Sequence, residues 1–127
     1  MIRATWIIVG GMLISGSAAA QNAAYSAAEM QALLGKGLVV ASSDLEGGKT
    51  FTARINLGVG GQLSGTLTPA GDRAIPVTGA WKLNGAQVCR TLAPIQPEEI
   101  CETWLKNGAK AAIIQVNGKD ASINRWQ

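Results

Sequence analysis

The sequence has no histidine, and this absence removes a large part of enzyme chemistry. Without imidazole there is no His-based catalytic triad, no histidine proton shuttle and none of the zinc sites that need histidine ligands. Serines are present, but no base that would activate one of them is apparent. We therefore expect a noncatalytic protein and name no catalytic residue, no cofactor and no metal ligand.

A basic cluster is also missing. The chain carries 11 Lys and Arg against 8 Asp and Glu, a net charge of +3, but the basic residues are scattered along the sequence. Nucleic-acid binding needs a concentrated basic face, with stacking aromatics for single strands. Aromatic residues make up only 5% of the chain. We therefore expect no nucleic-acid partner.

Long apolar runs are absent except at the N-terminus. Residues 1–20 combine Arg3, an apolar stretch at 6–14 and small residues at the end, which is the layout of a secretory signal peptide. The apolar stretch is too short to span a bilayer, which needs roughly 20 residues. We predict cleavage, a periplasmic or secreted location, no membrane span after cleavage, and a single domain at 21–127. An uncleaved N-terminal anchor is the alternative.

Cysteine is scarce, with Cys89 and Cys101 as the only two. An even number in an oxidising compartment favours a disulfide bond over two free thiols. In the chain-entropy estimate a loop of this length stabilises by about 3 kcal/mol, which helps a domain this small. The spacing is not the redox C-x-x-C, so a catalytic cysteine is not expected.

The residues that are present predict one helix and then many strands. A capping box formed by Ser26 and Glu29 starts a helix at about 26–34, which Gly35 or Gly37 ends. From residue 38 the pattern alternates between apolar and polar residues, as in strands with one buried face. One such face carries Phe51, Ala53, Ile55 and Leu57. A later one carries Ile75, Val77, Gly79, Trp81 and Leu83.

Three Asn-Gly pairs, at 84–85, 107–108 and 117–118, each separate two strand-like segments. Asn-Gly is the preferred pair for a tight type I′ hairpin, so the three pairs predict an antiparallel meander. If each pair forms a two-residue loop, Trp81 lies opposite Val88, Trp104 lies opposite Ala111, and Ile114 lies opposite Ala121.

This register separates the two cysteines. Cys89 falls on the face opposite to Trp81, whereas Cys101 falls on the face of Leu105 and Ile114. A disulfide buried with that apolar set requires a bulge, or a change of the inward face, between Trp81 and Cys101. The predicted fold is mainly β: seven or eight antiparallel strands in a meander that forms a strongly bent sheet or small open barrel, with the helix over one end.

The segment 81–89, WKLNGAQVC, followed by 101–104, CETW, gives the pattern W-x-x-x-G-x-x-x-C with a second cysteine. Behind a signal-peptide-like start and a short helix, this pattern resembles a group of small, largely uncharacterised proteobacterial periplasmic proteins. The resemblance implies secretion, a β-meander and a disulfide, and it carries over no catalytic residue. Similar patterns occur in small periplasmic lysozyme inhibitors, but no segment here matches their inhibitory loop.

Carboxylates gather beside the second cysteine, at Glu98, Glu99 and Glu102. They are candidates for an acidic contact with a basic partner or a weak calcium site, although a solvated acidic loop has the same composition. Calcium-loop spacing is absent.

Trp81, Trp104 and Trp126 are the candidates for a ligand or partner face, and core packing is the alternative for all three. The predicted hairpins place Trp104 on one face with Ala111, Ile113, Ser122, Asn124 and Trp126.

We expect a noncatalytic exported protein that binds a protein partner or an envelope component. The alternative is a protein that binds a small apolar ligand on the face of Trp104 and Trp126, which requires a cavity between that face and the helix. An enzyme ranks third, because no pair of nucleophile and base can be named.

Overall fold

The computed structural model describes residues 22–45 and 50–127. The predicted signal peptide lies outside these residues. The helix α1 spans Ala27–Leu34. The strands are β1 (Leu38–Asp44), β2 (Phe51–Leu57), β3 (Gln62–Pro69), β4 (Ile75–Asn84), β5 (Gln87–Leu92), β6 (Gln96–Lys106), β7 (Ala111–Val116) and β8 (Lys119–Arg125).

The strands form an antiparallel meander in which each strand pairs with the next in the sequence. Strand β1 also pairs with β8, so the sheet closes into a barrel. In the described residues each strand therefore has a hydrogen-bonded neighbour strand on both sides. The predicted fold class, a mainly β meander with one short N-terminal helix, is confirmed. No helix in the ranges 22–45 and 50–127 is long and apolar enough to cross a membrane.

Helix α1 begins at the predicted capping box. The Ser26 hydroxyl accepts a hydrogen bond from the Glu29 backbone N–H at 3.1 Å, and the Glu29 carboxylate accepts one from the Ser26 backbone N–H at 2.9 Å. After the helix, Gly37 takes a φ of +81°, which favours glycine, and its N–H donates to the Leu34 carbonyl at 3.0 Å. The sequence pattern therefore fixes both limits of α1.

The helix covers one end of the barrel. Just before it, the Tyr25 N–H donates to the carbonyl of Trp104 in β6, and just after it the chain enters β1. Met30 and Leu34 are fully buried in one core cluster with inward residues of the strands. A closed wall of paired strands leaves only the barrel ends for such contacts, so α1 crosses the end between β6 and β1.

An ion pair ties α1 to β6. Lys106 Nζ lies 2.6 Å from a Glu29 carboxylate oxygen and 5.4 Å from the centre of the Tyr25 ring. The hydrogen bond from Lys106, together with the Ser26 backbone N–H, lowers the pKa of Glu29. Burial raises the pKa of Tyr25, against the opposing effect of Lys106.

The Asn-Gly turn at 117–118 forms as predicted. Val116 pairs with Lys119, and both loop residues have positive φ, 53° for Asn117 and 78° for Gly118, which is the type I′ pattern. The other two turns differ from the prediction. Between β4 and β5, Asn84 pairs with Gln87, so the loop is Gly85 and Ala86.

The predicted partner of Trp81 is therefore wrong. Trp81 lies opposite Arg90 instead of Val88. Gly85 has a φ of +63°, and a glycine at the first loop position is typical of a type II′ hairpin. The partner of Trp81 has moved by two residues along β5, and side chains two residues apart in a strand point to the same face. Trp81, Val88 and Arg90 therefore still share one face.

The predicted register between β6 and β7 is also wrong, and here the face changes. Lys106 pairs with Ala112, so five residues instead of two lie between the paired residues, and Trp104 lies opposite Ile114 instead of Ala111. Trp104 therefore shares the inner face with Ala112 and Ile114, not with Ala111 and Ile113.

A second change occurs in the next pair of strands. The register between β7 and β8 shifts between Ile114 and Gln115, so Ile114 lies opposite Ser122 instead of Ala121. An extra residue in one strand produces this kind of shift, and it makes the predicted pairing of Ile114 wrong.

The predicted disulfide between Cys89 and Cys101 is confirmed. The two residues are directly opposed in β5 and β6. Cys89 lies between Val88 and Arg90, which face the barrel interior, so the disulfide lies on the outer face. The conflict between the cysteine faces came from the wrong β6–β7 register.

Candidate functional site

The barrel interior contains a cavity of about 460 Å³. Its wall includes Phe51 at the start of β2, Leu92 at the end of β5 and Val116 at the end of β7. These positions are at the end of the barrel away from α1. Ile95, in the loop between β5 and β6, also lines the cavity and is 46% exposed. The cavity therefore reaches the surface at this end.

The wall of the cavity is mainly apolar. Alternation along each strand brings every second side chain to the interior. The predicted face of β2 supplies four of these side chains, as expected from its alternation. The apolar lining residues are Val40, Phe51, Ala53, Ile55, Leu57, Leu63, Leu67, Val88, Leu92, Ile95, Ile100, Val116 and Ala121.

A charged pair interrupts this apolar wall. Arg90 of β5 donates from Nε to a carboxylate oxygen of Glu102 in β6 at 2.8 Å, and from Nη1 to the amide oxygen of Gln96 at 2.9 Å. The second carboxylate oxygen of Glu102 accepts from Trp104 Nε1 at 3.1 Å. Buried charges are stable only when paired and hydrogen-bonded, and Glu102 meets both conditions.

Arg90 keeps unused hydrogen-bonding capacity. A guanidinium has five N–H donors, and the bonds to Glu102 and Gln96 use Nε and Nη1. In the described part of the chain Nη2 has no hydrogen-bond partner. Because Arg90 lines the cavity, an acceptor group of a bound molecule could take these donors.

A neutral polar pair lies across the seam where the barrel closes. Ser42 of β1 donates from its hydroxyl to the Asn124 side-chain oxygen of β8 at 2.6 Å. Both residues line the cavity, and so does Ser122. The site therefore combines an apolar wall with a few polar groups at two places, which is the usual composition of a small-molecule site.

The three tryptophans predicted as a ligand or partner face lie elsewhere. None of them lines the cavity. Trp104 is buried in the core cluster and its ring centre lies 6.0 Å from that of Trp126. Trp81 packs against the same cluster and donates from Nε1 to the Gly58 carbonyl at 2.9 Å. A role for these residues in partner binding stays a prediction.

The three predicted acidic residues are separated by the structure. Glu98 and Glu99 are exposed, and Glu99 lies 3.4 Å from Lys82 Nζ. Glu102 is only 7% exposed and faces the interior. Glu99 also lies near the sulfurs of Cys89 and Cys101, but both sulfurs are in the disulfide, so neither can bind a metal ion as a thiolate.

Arg90, Gln96 and Ser42 were not predicted as site residues, whereas Asn124 was placed on the candidate face of Trp104 and Trp126. A signal was present for Arg90, because it alternates with Val88 and Leu92 in one strand. A charged residue on an otherwise apolar strand face needs a buried partner or a functional role.

Comparison with known proteins adds no assignment. No family model, no curated protein and no solved structure matches the chain. The resemblance to small proteobacterial periplasmic proteins therefore stays a prediction.

Proposed function

We propose that this protein is a noncatalytic binding protein that holds one small, mainly apolar molecule inside the barrel. The observation that carries this proposal is the cavity of about 460 Å³ with its apolar wall. Small-molecule sites measure about 300 to 1,000 Å³, and a barrel of eight strands is just wide enough for its own side chains or one small ligand. Protein interiors otherwise leave few voids larger than a water molecule.

The proposed location is periplasmic or secreted. Two features support it: the signal-peptide layout of residues 1–20, and the disulfide between Cys89 and Cys101. Disulfides persist in oxidising compartments and are rare in the cytosol. Binding to a protein partner or an envelope component stays a prediction from the sequence.

A fluorophore titration with two matched variants tests the proposal. N-Phenyl-1-naphthylamine is uncharged, apolar and fluoresces more strongly in apolar surroundings. Ala53→Phe places a ring in the cavity wall, whereas Ala41→Phe places the same ring on the exposed outer face of β1. We expect saturable binding to the wild type, an affinity at least about tenfold weaker for Ala53→Phe, and no change for Ala41→Phe.

The proposal fails if the wild type shows no saturable binding, or if the two variants weaken binding equally. Thermal unfolding of both variants provides the control for folding. Native mass spectrometry of the exported protein supplies a second measurement, because a retained ligand adds mass that disappears on denaturation.

A further inference from the structure

The charges beside the cavity define the polar end of the ligand. Of the described residues that line the cavity, Arg90 and Glu102 are the charged ones, and they form one ion pair with a 2.8 Å contact. Their charges cancel, so the site as a whole is neutral. Both side chains are mostly buried, which weakens the screening of their charges by solvent.

The two partners differ in what they can still bind. Each carboxylate oxygen of Glu102 already accepts a hydrogen bond, one from Arg90 and one from Trp104. Arg90 retains its Nη2 donors. The carboxylate keeps spare lone pairs on oxygens that are already hydrogen-bonded, whereas Nη2 is a donor group with no partner among the described residues. The wholly unused group of the pair is therefore a donor, and it calls for an acceptor on the ligand.

An anionic acceptor is disfavoured at this position. A carboxylate placed against Arg90 would bring a second negative charge next to Glu102, with one cation for two anions. Burial of an uncompensated charge is costly, and like charges in a buried site repel each other. A neutral acceptor such as an amide, ester or ketone oxygen uses the same donors without that cost.

We infer that the ligand is an uncharged amphiphile, with an alkyl or other apolar body in the cavity and one neutral hydrogen-bond acceptor against Arg90. This inference rests on the proposed function and adds the chemical class of the ligand. Arg90 is the residue that sets the position of the polar end, and Glu102 is the residue that selects against anions.

Two ligands of equal size test the inference. Decanamide and decanoate have the same chain and the same number of heavy atoms, but at neutral pH only decanoate is charged. Each is used to displace N-phenyl-1-naphthylamine from the wild-type protein. We expect decanamide to displace the fluorophore at a concentration at least about tenfold lower than decanoate does.

The variant Glu102→Gln then tests the cause of the preference. It removes one negative charge with little change of shape, which leaves Arg90 uncompensated, so the preference should reverse in favour of decanoate. Glu99→Gln is the matched control, because Glu99 is exposed on the strand that carries Glu102, and it should leave the wild-type preference unchanged.

The outcomes separate the two proposals. The inferred ligand class is overturned if the wild type binds the two ligands equally, if it binds decanoate more tightly, or if neither ligand displaces the fluorophore. Each of these results would still leave the cavity as a binding site. Absence of saturable fluorophore binding would overturn the proposed function itself. The wild-type comparison requires no variant, so the inference can be refuted even if Glu102→Gln does not fold.

Discussion

The two ends of the barrel interior use the same strand alternation but differ in what fills them. At the α1 end the interior is closely packed, and several large side chains there are at most 2% exposed. These residues include Met30, Leu34, Trp104 and Ile114. At the other end, inward side chains such as Phe51, Leu67 and Ile100 surround the cavity. Alternation alone therefore places side chains inside a barrel but does not decide whether they meet.

The difference has two physical causes. The first is α1, which adds Met30 and Leu34 to one end of the core. The second is the size of the strand residues at the other end, where Ser42, Ala53 and Ser122 face the interior. In a barrel of eight strands the interior is just wide enough to be filled by side chains, so small ones leave space for a ligand. The cavity is thus the part of the barrel that the side chains do not fill.

A pair of identical truncations should include the largest single loss of stability. Leu34→Ala removes a fully buried side chain from the α1 end, and we expect a loss of about 3 kcal/mol in unfolding free energy. Leu67→Ala removes atoms that already border the cavity, so fewer contacts are lost and we expect about 1 kcal/mol. Urea unfolding of both variants measures these values, and equal losses would contradict the distinction.

The opposite change, from small to large, should give a smaller effect that differs in sign. Ala112 is fully buried beside Trp104 and Ile114 on the inner face, so Ala112→Leu overpacks the α1 end and should cost about 2 kcal/mol. Ala53→Leu enters the cavity and should stabilise by about 0.5 kcal/mol. Thermal unfolding monitored by circular dichroism compares them. Destabilisation of both variants to the same extent would show that the cavity end is closely packed in solution.

The parts of the fold that local patterns determine could be predicted from the sequence. Ser26 and Glu29 identified the start of α1, and the alternation from Phe51 to Leu57 identified the inner face of β2. These patterns depend on neighbours in the chain, which the sequence displays directly. Asn117 and Gly118 gave the correct turn for the same reason.

Errors arose where the number of loop residues was not fixed by the turn motif. Five residues, beginning with the pair at 107–108, lie between the paired Lys106 and Ala112, and this one difference moved Trp104 to the other face relative to its β7 neighbours. The residues of the site were the hardest to predict, because the site depends on strand register. Arg90 and Glu102 are twelve residues apart, and only the register of β5 and β6 shows that they share the interior. The cavity itself depends on packing across all eight strands, which no local pattern contains.

The smallest expected effect concerns the attachment of α1 to the barrel wall, and it depends on pH. Glu29→Gln removes the ion pair with Lys106 but keeps an acceptor for the Ser26 N–H, so the capping box survives. The hydrogen bond from Lys106 lowers the pKa of Glu29 in the folded protein. A carboxylate with a lowered pKa contributes stability above its unfolded pKa of about 4.3, and this contribution disappears as the pH falls through the lower folded value.

The wild type should therefore be more stable than Glu29→Gln at neutral pH by a small amount that vanishes in acid, as measured by urea unfolding at a series of pH values. A difference that stays constant with pH would refute this origin, and a change in fluorophore affinity would refute the separation of the α1 end from the ligand cavity.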